Sequence, residues 1–280
     1  MQVSHLPFDP GPAGWASIVP RGPTYPKLVE DTTVDFAVVG AGFAGLSAAR
    51  RLRQLEPKSK IAIFEAREIC EGSSGRNSGF MIDLPHNLGS KDYVGQIEID
   101  RQQTALNREA IQFAQEAAEE YHLTEEAFSI AGKINAAATE TGLKHNSDYA
   151  THLSKLNEPC EILDAKQMYE ICGSNYYLGG LATPGNGLIK PGLYVRGIAK
   201  GINQSDVQIF EKSPVLSLNK VGNAWKLKTP EGTVEAKIVV LAVNGHIESF
   251  GFFRHRLMHI YLYASITREL TSYEVKTLSW

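Results

Sequence analysis

The sequence predicts an α/β protein whose parallel sheet opens near residue 34, is interrupted by a mixed α+β insertion, and is rejoined late in the chain. Three observations carry that expectation. An apolar run, Val34 to Val39, passes straight into Gly40-Ala41-Gly42-Phe43-Ala44-Gly45 and then into a helix-like stretch. A second apolar run, Ile61 to Phe64, follows that stretch and ends on Glu65. A third, Ile238 to Val243, has the length and composition of a strand returning to the first sheet.

Residues 1–33 read as an arm, because Pro7, Pro10, Pro12, Pro20, Pro23 and Pro26 oppose a regular helix or central strand. The strand Val34–Val39 is apolar apart from Asp35, as expected for a strand buried on both faces. The helix Ala44–Leu55 stops at Pro57. With Ile61–Phe64 these elements form a βαβ unit. From Glu71 to Gly89 the chain is rich in Gly, Ser and Asn and reads as loop. A long helix is expected from Tyr93 to Tyr121, with Leu106, Ala110, Phe113, Ala114, Ala117, Ala118 and Tyr121 at helical spacing, a core-packing stripe.

Beyond residue 122 the texture turns to strands: Phe128–Ala138, Tyr177–Thr183, Val207–Phe210, Val215–Leu218, Ala224–Lys228 and Thr233–Val243. A helix from Pro191 to Ile202 interrupts the series. Trp225–Lys228 and Val234–Lys237 alternate apolar and polar around Pro230-Glu231-Gly232, which predicts a hairpin with one wet face. The expected domains are an arm at 1–33, a discontinuous nucleotide domain at 34–125 and 186–255, and a second domain at 126–185 and 256–280.

Composition narrows the function classes. The 280 residues are 43% hydrophobic and 21% charged, enough apolar material for a core, and the net charge of −3 gives no footprint for nucleic acid or an anionic membrane. No apolar run reaches the ~20 residues of a membrane helix, and the N-terminus lacks the charged-then-apolar pattern of a secretory signal. Cys70, Cys160 and Cys172 form no CxxC and cannot all pair, which fits a cytoplasmic protein with reduced thiols. There is no HExxH, clustered His/Cys spacing or nucleophile elbow, so no metal site or hydrolase is expected.

The glycine turn carries the chemistry. A bare GxGxxG is a weak signal; this one follows a strand, opens a helix and is answered about twenty residues later by an acid at the end of the next strand. Gly40 permits the tight turn, Gly42 lets backbone approach a pyrophosphate, and Gly45 lets helix and strand close together. Phe43, Ala44 and Gly45 present first-turn N–H groups to phosphate. Glu65 can accept ribose hydroxyls and disfavours a 2′-phosphate, which argues against NADP. A second loop, Gly72-Ser73-Ser74-Gly75-Arg76-Asn77-Ser78-Gly79, offers backbone N–H groups, hydroxyls and the charge of Arg76 to an anion.

These stretches resemble the FAD-dependent amine and amino-acid oxidases of the D-amino-acid oxidase superfamily, which includes glycine oxidase, sarcosine oxidase and the γ-glutamylputrescine oxidase type. Phe36 to Gly45 with Glu65-Ala66-Arg67 is similar to the family's ADP site. Ser74-Gly75-Arg76-Asn77-Ser78-Gly79 is similar to its second FAD loop, with Ser78 in place of a glycine. Val239 to His246 is similar to its return strand and Ala-Thr-Asn turn, with Val243 in place of threonine. Gly187 to Pro191 and Pro214-Val215 are weaker echoes. The proline-rich arm places the γ-glutamylputrescine oxidase branch nearest.

The resemblance implies a Rossmann-type FAD-binding domain with an inserted mixed α+β substrate domain. It implies FAD held by Gly40, Gly42, Phe43, Ala44, Gly45, Glu65, Ala66, Arg67, Ser73, Ser74, Gly75, Arg76, Asn77, Ser78, Val215, Ala242 and Asn244, with the Val215 backbone at adenine. Family members run longer than this chain, so the substrate domain is expected to be incomplete. A late cysteine bonds the flavin in sarcosine-oxidase-like members; Cys70, Cys160 and Cys172 all lie too early to match it.

The implied reaction oxidises a substrate C–N bond to an imine, with O2 as final acceptor, on a small amine or amino acid. Candidates to orient that amine are His246 and Tyr263, with Asp83, His86 and Tyr261 behind them. Two other readings remain: a truncated FAD-binding chain or subunit without activity of its own, completed by a second copy or a partner, and an NAD-dependent dehydrogenase, which the second glycine loop opposes.

Overall fold

The computed structural model describes residues 1–8, 11–85, 97–260, 265 and 267–277. They fall into two compact units. The first comprises Met1–Ser78, Ala117–Ala127 and Lys190–Ser265; the second comprises Gly79–Glu116, Phe128–Ile189 and Ile266–Trp280.

The first unit is built on a six-stranded sheet. Its strands are β1 (Thr32–Val39), β2 (Ile61–Phe64), β9 (Val207–Phe210), β10 (Ser217–Val221), β11 (Ala224–Lys228) and β12 (Thr233–Leu241). Their order is β10-β11-β12-β1-β2-β9. β12, β1, β2 and β9 run parallel, and β10 and β11 extend the sheet antiparallel. β1 pairs with β12 over its length, from Thr32 with Val234 to Val39 with Leu241, so the return strand lies where the sequence placed it. Ala37, Val38, Ile63 and Ala62 are fully buried, which is why these strands read as unbroken apolar runs. On the predicted hairpin, Leu227 faces Val234 in the core while Lys226 faces Glu235 in solvent.

Two helices of this unit pack on that sheet. α2 (Phe43–Leu55) starts on Gly42 and ends as the Glu56 N–H returns to the Leu52 carbonyl, one residue before Pro57. α6 (Pro191–Gln204) opens on proline at N1 and buries Tyr194, Val195, Ile198, Ala199 and Ile202 at helical spacing. Gly201 on α6 lies under the Tyr121 ring, so closely that a Cβ there would run into it.

The arm differs from the expectation. The prolines leave room between Pro12 and Pro20 for a five-residue helix, α1 (Gly14–Ile18). Met1 to Ser4 also add to the sheet, with Val3 N–H donating to Leu216 and a bridge between Gln2 and Ser217.

The second unit holds two three-stranded antiparallel sheets. One orders β3 (Phe80–Met81), β8 (Gly187–Ile189) and β4 (Phe128–Ile130) as β3-β8-β4; the other orders β5 (Lys133–Ala137), β7 (Gly179–Thr183) and β6 (Glu161–Asp164) as β5-β7-β6. The single strand expected at Phe128–Ala138 is therefore two, divided at Gly132, whose φ of +67° turns the chain from one sheet to the other. Two helices were missed here: α4 (Glu140–Leu156), capped by Thr139 through the Gly142 N–H, and α5 (Ala165–Cys172), opened by a reciprocal box between Asp164 and Gln167. The core of this unit gathers Leu84, Tyr149, Leu153, Leu156 and Leu181. Beside it the fully buried Asp83 carboxylate accepts from Arg108, which also pairs with Glu158.

The remaining boundaries shift modestly. The helix α3 is described from Ile97 to Glu120, and the expected residues 93–96 lie outside the described set. The strand expected at Val215–Leu218 begins at Ser217 instead. Met258 to Ile260 and residues 267–270 carry no regular structure, and Ser272–Thr277 forms the short helix α7.

Candidate nucleotide-binding site

Every described residue singled out for FAD lies in the first unit, and all but Val215 follow the C-terminal ends of β1, β2 and β12. Gly40 takes a φ of +101°, a conformation open to glycine and strained for other residues. Its amide donates to the Phe64 carbonyl, and the Ala242 carbonyl crosses the space a Cβ would fill. A Cβ on Gly45 would run into the Gly40 carbonyl and touch Ala242 at 3.4 Å. Turn, helix and return strand thus meet with no room for side chains, and Ala242 N–H donates to the Val39 carbonyl to complete the junction.

The second loop closes on the same helix end. Phe43 N–H donates to Ser74 Oγ at 3.0 Å. A Cβ on Gly42 would stand 2.7 Å from that hydroxyl. Asn244, at a left-handed φ of 50°, donates from its side chain to Ser73 Oγ. Asn77 Nδ2 donates to the carbonyls of Ser73 and Ser74, fixing the turn from within, and Gly75 is pressed against Cys70 where no side chain fits. The first turn of α2 leaves N–H groups that the helix itself cannot satisfy. This backbone cradle, with Ser73 and Ser74 hydroxyls along its rim, fits a pyrophosphate: it is dipolar and narrow, and the one carboxylate at the turn, Glu65, is already held by the Ala41 N–H.

Glu65 accepts one hydrogen bond from the glycine turn and one from its own strand's exit. Its Oε2 accepts from Ala41 N–H at 2.8 Å and its Oε1 from Arg67 N–H at 3.0 Å. Burial pushes the carboxyl above its ordinary value, opposed by those N–H groups and that of Ala66, and the nearby Glu211 carboxylate pushes it further up. Three N–H groups leave the carboxylate one further acceptor position, to which a ribose hydroxyl can still donate.

Arg76 is placed otherwise than as a free anion-binding charge: its Nε donates to the Glu71 carbonyl and its Nη2 to Gly11 in the arm. Arg67 pairs with Glu71. Val215 is buried in the sheet core among Leu218, Leu227 and Val234. Ser78 is exposed at the end of the loop. His246 lies in a 3-10 turn with its ring 6.1 Å from that of His5. Tyr263, Tyr261 and His86 lie outside the described residues.

Two residues of this region escaped the sequence reading. Glu211 is buried and accepts from Ile69 N–H at 2.6 Å and from Tyr25 N–H at 3.1 Å, tying the arm to the segment after β2. A signal was present: Phe210-Glu211 repeats Phe64-Glu65, the two phenylalanines are paired in register, and their rings stack at 5.5 Å. The other is Trp15, whose indole N–H donates to the Asn77 carbonyl at 2.7 Å.

Comparison with known proteins settles the family. Residues 35–278 match the DAO family, described as FAD dependent oxidoreductase. The chain belongs to the DAO family. FAD is the cofactor of that family. The chain is 29% identical over 228 residues to the "Probable oxidoreductase OrdL" of Haemophilus influenzae, covering 80% of this chain and 52% of that protein. It is 25% identical over 225 residues to the gamma-glutamylputrescine oxidoreductase of Escherichia coli, with 80% and 52% covered. The crystal structure of glycine oxidase from Geobacillus kaustophilus shares the fold, with a TM-score of 0.61 at 22% identity over 75% of this chain and 55% of that one. The chain therefore spans about half the length of the curated relatives it matches. Among the described residues no helix is long and apolar enough to cross a membrane, and no group of three or more His, Cys, Asp or Glu could hold a metal ion.

Proposed function

We propose that this DAO-family chain binds FAD and serves the oxidation of a small amine or amino acid at its C–N bond. One observation carries the reading: the two glycine loops converge on one helix end, where Phe43 N–H meets Ser74 Oγ and Gly42 opposes it without a side chain. FAD, when bound, supplies the two-electron acceptor for conversion of the amine to an imine that water hydrolyses, with O2 as the final acceptor.

The chain's own residues do the holding. Gly40, Gly42 and Gly45 admit the pyrophosphate to the first turn of α2, and Ser73, Ser74 and Asn77 shape the loop that covers it. Glu65, Ala66 and Arg67 receive the adenosine ribose, and Val215 places backbone beside adenine. Ala242 and Asn244 brace the loop from the return strand. His246 and Tyr263 are the candidates for the substrate side, and the segments 126–185 and 256–280 are the proposed substrate domain. Sequestration of the amine from water requires a wall around the reacting carbon. A second copy or a partner subunit is the proposed source of any part of that wall this chain does not itself carry. Three free cysteines agree with a cytoplasmic setting.

The supporting similarity to the gamma-glutamylputrescine oxidoreductase makes amines and γ-glutamyl amines the first substrates to try. The test is reconstitution of the purified chain with FAD, followed by peroxide release across simple amines, N-methylated amino acids and γ-glutamyl amines. Flavin binding with amine-dependent peroxide supports the full reading. Flavin binding without turnover supports the second reading, a nucleotide-binding chain without activity of its own. Tight NAD binding without FAD binding sinks both.

A further inference from the structure

The arm does more than precede the sheet. Ala13 and Val19 are buried, at 0% and 6% exposure, although neither lies in the sheet or in a long helix. The arm from Gly11 to Leu28 is fastened at intervals along its length. Arg76 Nη2 donates to the Gly11 carbonyl at 2.8 Å, and Trp15 Nε1 to the Asn77 carbonyl at 2.7 Å. Arg196 on α6 donates to the Pro20 carbonyl at 2.9 Å, and Glu211 accepts from Tyr25 N–H. Gly192 on α6 makes the room: a Cβ there would stand 3.0 Å from the Trp15 carbonyl oxygen and 2.7 Å from Val19.

Two of these fastenings fall on the second glycine loop and on nothing else. Asn77, whose carbonyl takes the indole N–H, is the residue whose side chain holds Ser73 and Ser74 in their turn. Ser74 in turn meets the helix end through Phe43. Arg76, the one cation in the loop, has its guanidinium turned to carbonyls of the arm and of Glu71. The shape of the phosphate-facing loop and the docking of the arm are therefore one hydrogen-bonded network.

We infer that residues 11–28 form a strap that holds the second glycine loop in its nucleotide-binding shape, with Trp15 as the positioning residue, so that release of FAD requires the strap to lift. The inference rests on the FAD-binding reading above. It has a reciprocal consequence. If the docked strap favours bound nucleotide, bound nucleotide favours the docked strap by the same factor.

The experiment uses the full chain and two readouts besides turnover. FAD release is followed by recovery of free-flavin fluorescence after dilution. Strap docking is followed by trypsin cleavage after Arg21, which is exposed in the middle of the strap. Trp15→Phe keeps an aromatic side chain of smaller size and deletes the N–H donor to Asn77. The strap predicts that Trp15→Phe speeds FAD release about tenfold, the equivalent of one hydrogen bond, while the melting temperature of the FAD-free protein hardly moves. It also predicts that FAD slows cleavage after Arg21 several-fold in the wild type and less in Trp15→Phe. A release rate for Trp15→Phe within twofold of wild type overturns the strap and leaves the FAD reading standing. A wild-type chain that does not quench added FAD overturns both.

Discussion

Ala41 and Glu65 are joined by a 2.8 Å hydrogen bond from the Ala41 N–H to Glu65 Oε2. The acid that ends β2 thereby holds the turn that ends β1. A residue recognisable from spacing as a ribose ligand is also a structural tie of the glycine turn itself, and that double role shapes what its replacement should do.

Glu65→Gln keeps one acceptor oxygen and turns an NH2 toward a backbone donor. The expected loss is about 1–2 kcal/mol of stability at neutral pH, from one donor left facing no acceptor. The pH dependence has a definite sign. Burial raises the Glu65 carboxyl above the ordinary 4.5, so between 4.5 and the raised value the unfolded chain has released a proton that the folded chain retains. Stability from this group is therefore fullest below 4.5 and declines as pH rises through that window. Urea denaturation from pH 4 to pH 7 should show a flatter curve for Glu65→Gln than for the wild type.

Gly42 and Gly45 should separate binding from folding. Gly42 has an ordinary φ of −84°, so a side chain there meets no backbone strain; it meets Ser74 Oγ, at the end of a short side chain that can turn away. Gly42→Val should remove FAD binding from a chain that keeps its far-UV dichroism. Gly45→Ala instead drives a methyl into the Gly40 carbonyl and should cost about 1–3 kcal/mol or more, as overpacking does. Equal melting temperatures for the two variants would contradict this division.

Arg108 should matter more than its half-exposed position suggests. It forms an ion pair with the fully buried Asp83, which Lys133 also attracts from further off. Replacement by methionine leaves a carboxylate stranded, for an expected cost of about 2–4 kcal/mol, discounted for the exposure of the guanidinium. The double variant Arg108→Met with Asp83→Asn should recover part of that loss in chemical denaturation.

Asp164→Ala should cost about 1 kcal/mol, the usual worth of a helix cap. It opens the reciprocal pair with Gln167, whose two hydrogen bonds are each 2.8 Å. Asp164→Asn should retain most of the stability, as thermal melts of both variants would show.

The first unit was legible because its signals are local and redundant. The strand, glycine turn, helix, strand and acid follow within some thirty residues, and β12 announced itself by the unbroken apolar run Ile238–Val243. The second unit hid its helices. The buried face of α4 includes Asn146 and His152, which bond to the Asn135 carbonyl and to Asp100, so the apolar stripe is broken by polar residues whose partners lie elsewhere in the chain. The caps of α5 were in plain view, Asp164 with Gln167 before it and Gly173 after it, but an eight-residue helix has too few turns for periodicity to declare it. At the site, the glycines and Glu65 were readable, while Trp15 was not. A tryptophan in a proline-rich arm has no pattern to mark it; its meaning comes from a carbonyl 62 positions away.

The pairing of β1 with β12 also sets an order of assembly. Asp31 and Thr233, which share a hydrogen bond at the entry to that pair, are 202 positions apart. At about 5–20 residues per second of synthesis, β1 and its glycine turn leave the ribosome roughly ten to forty seconds before their central neighbour exists. During that interval a strand whose inner half, Phe36–Val39, is wholly apolar has a free edge toward β12. Most of the second unit, Gly79–Glu116 and Phe128–Ile189, is encoded in between. Folding of the nucleotide domain is thus a late, long-range event, with the slow kinetics of high contact order and a need for protection of β1 while it waits.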